Sequence, residues 1–128
     1  MRMRAVVVAL STLCAAPAWA QSSAPAPDVL HNRAVGEAVF LYGRAHYFHD
    51  RVAGCGAPVA RAADTRFDAA RVRLAANVRD GLVSSDHYFE QHPVSGGACD
   101  MASLNAYAMH VGEFERAVAA IPDPSQGR

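Results

Sequence analysis

The sequence predicts an all-α domain: a small antiparallel helical bundle of three main helices and one short helix, tied by one disulfide. Three observations lead there. Apolar residues recur at alternating three- and four-residue steps over most of the chain, the mark of a helix with one buried face. No stretch shows the period-two alternation of a half-buried strand. Cys55 and Cys99 are the two cysteines beyond the N-terminal apolar segment, and an oxidising compartment would pair them.

Residues 1–20 read as an export signal. Arg2 and Arg4 give a charged start, Ala5 to Leu13 an apolar run, and Ala18-Trp19-Ala20 a small-x-small cleavage site. The run is shorter than the roughly 20 residues a spanning helix needs, and Ser11, Thr12 and Pro17 interrupt it. Bulky Leu13 before Cys14 argues against a lipidated cysteine. The expected location is periplasmic or secreted, with no membrane anchor after cleavage. The remaining 108 residues suit one domain. They hold ten arginines, no lysine and twelve carboxylates, a formal charge of −2. That balance offers no basic footprint for nucleic acid.

Residues 21–27, rich in Ser, Ala and Pro, read as a disordered linker, and the helical domain is expected over 28–121. Asp28 is the expected N-cap of a first helix running to about Ala53. Its stripe is Ala34, Ala38, Leu41, Ala45, Phe48 and Val52, widened by Val35 and Tyr42. Residues 54–63 are expected as a loop. Asp64 or Thr65, with Asp68 behind, should then start a second helix whose stripe is Phe67, Ala70, Leu74, Val78 and Leu82. Arg66, Arg71, Arg73 and Arg79 lie mostly off that stripe and read as solvated surface.

The disulfide decides how residues 81–92 are read. An unbroken helix from Thr65 to Gln91 would be roughly 40 Å long and would leave the cysteines at opposite ends. Pairing needs Cα atoms within roughly 7 Å, so a break is expected near Gly81 to Ser85, with a short helix restarting at Asp86. After a loop with Pro93, Gly96 and Gly97, Asp100 should cap the last helix. Its stripe of Leu104, Tyr107, Val111, Phe114, Val118 and Ile121 follows three-four spacing throughout. Pro122 ends it, leaving 122–128 as a flexible tail.

Two candidate sites follow. Six histidines are many for this length. His46 and His49 share a helix face, and the pairing of Cys55 with Cys99 would bring His87, Glu90 and His92 to the same end. Imidazole and carboxylate donors suit zinc, copper or nickel, so these five residues form a candidate transition-metal site, and no other cofactor is expected. The motif His46-Tyr47-Phe48-His49 is echoed by His87-Tyr88-Phe89-Glu90, but the flanks do not align and the echo reads as coincidence. The second candidate is a partner-binding groove along Gly36, Phe40, Gly43 and Tyr47, where mid-helix glycines would admit a close neighbour. Enzyme signatures are missing from the sequence: no nucleophile elbow, no phosphate-binding glycine loop and no haem-attachment motif. The expected role is binding a protein partner, as an inhibitor, immunity protein or chaperone, with a homodimer as one form. The alternative is a periplasmic metal-binding or metal-sensing protein.

Overall fold

The computed structural model describes residues 25–123 and places four helices in them: α1 (Pro27–Arg51), α2 (Pro58–Ala75), α3 (Arg79–Gln91) and α4 (Met101–Ala119). No strand occurs among the described residues. The segment expected as an export signal, 1–20, and most of the residues expected as linker and tail lie outside them.

Two helices begin earlier than their acidic residues suggest, for one reason. Both α1 and α2 open with proline in the first turn, Pro27 and Pro58, and neither has a side-chain cap. Proline fits there because its φ is pre-set and its missing N–H would have had no partner. Asp28 is therefore inside the first turn of α1, where a carboxylate favours the positive end of the dipole. The linker ends at Ala26. Asp64 lies a full turn and more into α2, and the expected 54–63 loop is cut to 54–57. Asp100 does cap α4, its carboxylate accepting the Ser103 N–H at 3.0 Å.

The break between the second and third helices also moves. It falls at Ala76–Val78, before Gly81, with the Asn77 and Val78 N–H groups both donating to the Leu74 carbonyl. Gly81 is inside α3 and serves a different purpose. A Cβ there would sit 3.0 Å from Val78 Cγ2, a tight contact, and at ordinary contact distance, 3.5 Å, from Val39 Cγ2 of α1, so its small size makes room for Val78 in the turn before α3. α3 thus runs from Arg79 and contains the short helix expected from Asp86.

Contacts fix the helix directions. His31, near the start of α1, reaches the Pro122 carbonyl beyond α4 at 2.9 Å, while His49 at the far end of α1 lies against Tyr107 near the start of α4. α1 and α4 therefore run in opposite senses. α3 lies beside α1 in the same sense, with Gly81 near Val39 and Phe89 on His46. The core between α1, α2 and α4 is built on Tyr42, Leu74, Tyr107, Val111 and Phe114, all essentially inaccessible. Tyr42, Phe67 and Phe114 form a triangle of rings with centroids 5.5 to 5.8 Å apart. Each such side chain contributes about 1.5–3 kcal/mol on burial. His110 is buried as well, stacked on Phe48 and bonded through Nδ1 to Glu113 at 3.1 Å.

At the α1 C-terminus the chain is tied as expected: Cys55 and Cys99 are disulfide-bonded with Cα atoms 5.4 Å apart. Gly54, at φ 84°, turns the chain out of α1. The 92–99 loop then docks on that end. The Gly97 N–H donates to the Ala53 carbonyl at 3.0 Å and the Ala98 N–H to the Arg51 carbonyl at 2.9 Å. Gly96 passes so close that a Cβ would lie 3.1 Å from the Ala53 oxygen.

Candidate functional site

The second half of α1 and the length of α3 frame two clefts, one apolar and one polar. Their positions follow from the disulfide and from the Phe89–His46 ring contact, which lay α3 along α1.

The apolar cleft has a volume of about 470 Å³ and is open along one side. Val39, Gly43 and Phe48 line it from α1, and Ser85 and Phe89 from α3. Gly43 lies in its floor, where a Cβ would meet Ser85 Oγ at an ordinary contact distance of 3.8 Å. Two aromatic pairs form its walls. Tyr47 meets Phe48 edge to face at 5.1 Å, and Tyr88 meets Phe89 the same way at 5.5 Å, a favoured geometry for ring quadrupoles. Phe40 and Tyr88 are 66 % and 56 % exposed. Arg44 is the charged residue in the lining.

The polar cleft, about 500 Å³, lies across His46 and Phe89 from the first. At its base the Tyr42 hydroxyl donates to Asp86 Oδ1 at 2.5 Å and accepts from Arg71 Nε at 3.0 Å. Arg71 also donates to Asp86 Oδ2 at 2.5 Å. Burial, then the hydrogen bond to Asp86, pushes the Tyr42 hydroxyl up to about 12, with Arg71 pulling the other way. Hydrogen bonds to Tyr42 and Asp86 hold Arg71 protonated more firmly than usual. His46 sits above this base with Phe89 over its ring at 4.3 Å. Burial lowers its pKa against the opposing pull of Asp50 and Asp86. Its Nδ1 is shielded from solvent and makes no hydrogen bond, with Asp86 Oδ1 3.5 Å away.

No family model, curated protein or solved structure matches the chain. Its chemistry is therefore argued from these two clefts.

The residues proposed for a metal divide between cleft and surface. His46 and His49 come together with Asp50, ligating atoms of all three lying within 4.8 Å of one another. Glu90 lines the same cleft, facing His87 at 3.7 Å. His87 is 64 % exposed along its side chain. His92 stacks on Tyr88 at 4.3 Å, its Nδ1 2.9 Å from the Tyr88 carbonyl. Of the groove residues, Phe40, Gly43 and Tyr47 line the apolar cleft, while Gly36 faces open space.

Sequence reasoning passed over Asp50, Asp64, Asp86 and Arg71. Asp50 was within reach, since positions 46, 49 and 50 share one helix face. Asp86 and Arg71 meet from different helices, so nothing local signals them.

Proposed function

We propose that this chain is a small exported antiparallel bundle, three main helices with the short α3 alongside, that binds a protein partner in the α1/α3 cleft. The observation that carries this reading is the exposed aromatic cluster of Phe40, Tyr47 and Tyr88 around an apolar floor, with a single arginine at the rim. Tyrosine, phenylalanine and arginine are enriched at the core of interfaces, where large rings bury much area at low entropic cost. The occupant is an amphipathic segment of another protein. Its apolar side chains fill the cleft between the two edge-to-face pairs, and a carboxylate meets Arg44. A volume of about 470 Å³ is at the small end of ligand-sized pockets and takes two or three side-chain anchors.

Site-specific photocrosslinking tests this reading in the producing cell. A photoreactive residue replacing Phe40 or Tyr88 should trap one protein, and the same probe replacing Val72, exposed on α2, should not. With that protein purified, Phe40→Ala/Tyr88→Ala should weaken binding at least tenfold and Arg44→Glu should weaken it further. Equal trapping at Val72, unchanged affinity in both variants, or a trapped second copy of this chain would each overturn the proposal.

A further inference from the structure

We propose that His46, His49 and Asp50 form a binding site for one divalent transition-metal ion of the zinc class, with Asp86 and Asp64 close behind the two imidazoles. This goes beyond the partner cleft, with whose lining the polar cleft shares only Phe89.

The donor set comes first. Asp50 Oδ2 is 3.5 Å from His46 Nε2, and Asp50 Oδ1 is 3.0 Å from His49 Nδ1. Donors about 2.1 Å from a tetrahedral ion lie roughly 3.4 Å apart, so these pairs already stand near the required spacing. Two imidazoles and a carboxylate suit zinc, copper or nickel better than magnesium or calcium, which select oxygen donors. All three residues sit in the last two turns of α1, so the helix presents them as a unit.

The second observation is independent of the first. Each imidazole turns one nitrogen to Asp50 and its other nitrogen to a different carboxylate. His46 Nδ1 is 3.5 Å from Asp86 Oδ1, and His49 Nε2 is 3.9 Å from Asp64 Oδ1, near contacts that are not hydrogen bonds. A carboxylate behind a ligating histidine fixes its tautomer and raises its basicity. Those two carboxylates are themselves anchored: Asp86 by Tyr42 and Arg71, Asp64 by the Tyr107 hydroxyl at 2.5 Å. Direct donors and braced carboxylates near their outer nitrogens thus meet at one place on three helices.

Charge and access agree. The lining of the polar cleft carries four carboxylates and one guanidinium, and that guanidinium is engaged by Asp86. A cation therefore enters a negative surround. The cleft is open, so the ion would keep a coordination position for water or for a side chain of a bound molecule.

Calorimetric titration of the purified protein with zinc chloride tests the site. The expected result is one ion per chain. His49→Ala and Asp50→Asn, both at partly exposed positions, should each lower the affinity at least tenfold with helix content unchanged. Asp64→Asn, which removes a carboxylate 3.9 Å from His49 Nε2, should lower it by less than either of these substitutions. His87→Ala/His92→Ala should leave it unaltered. Absence of a one-to-one isotherm, indifference to both His49→Ala and Asp50→Asn, or loss caused by the His87/His92 variant would overturn the site. None of these outcomes bears on the crosslinking of a partner at Phe40.

Discussion

Replacing both cysteines by alanine is expected to lower the stability of the fold by about 4 kcal/mol. The bridge joins positions 44 apart in sequence, and cross-linking a loop of that length removes this much freedom from the unfolded chain. The effect is large beside a typical total of about 5–15 kcal/mol. It has a local side too. Without the bridge, the 92–99 loop keeps only its two backbone hydrogen bonds to Ala53 and Arg51, while α3 and α4 stay on α1 through the Phe89–His46 and His49–Tyr107 ring contacts. Urea unfolding of the wild-type and Cys55→Ala/Cys99→Ala proteins at neutral pH measures the difference. A loss under about 1 kcal/mol would mean that packing alone fixes this end.

Raising the pH should unfold the protein through two tyrosines. Tyr42 and Tyr107 are buried with their hydroxyls donating to Asp86 and Asp64. Burial first, and the carboxylate partner second, raises both hydroxyls above the usual value of 10, Tyr42 to about 12 and Tyr107 further. Below pH 10 both states hold the protons and stability is at its full value. Above pH 10 the unfolded chain releases protons that the folded chain keeps, so stability falls as pH rises. Tyr42 alone accounts for about 3 kcal/mol between pH 10 and 12, and Tyr107 continues the decline. Urea midpoints should therefore be flat from pH 7 to 9 and drop steeply beyond. Tyr42→Phe/Tyr107→Phe should start lower, since Asp86 and Asp64 each lose a donor, yet show a shallower alkaline slope. An unchanged slope in that variant would refute the assignment.

The fold was legible where one face of one helix decides the matter. The α4 stripe from Leu104 to Val118 is buried residue for residue, and Asp100 caps it. Pairing of the two cysteines followed from their number and forced the turn between α2 and α3. The sequence failed where a residue type has two uses. Gly81 reads as a breaker, but it lies inside α3, where its lack of a side chain makes room for Val78. Pro27 and Pro58 read as loop residues and instead open helices. Arg71 reads as a solvated arginine; its partners Tyr42 and Asp86 arrive from two other helices. The two His-Tyr-Phe segments were visible as an echo, and the fold lays Phe48 and Phe89 on the wall of one cleft. Contacts between helices depend on how the elements pack, which periodicity along one chain segment does not encode.

Both clefts require α3 to lie along α1 with the Phe89 ring on His46, at a centroid separation of 4.3 Å. Proton NMR of the oxidised protein reports that contact directly through cross-relaxation between the two rings. A strong cross-peak between the Phe89 and His46 ring protons is the predicted result. If Phe89 shows cross-peaks only to residues of its own helix, α3 does not dock there and neither cleft exists as described.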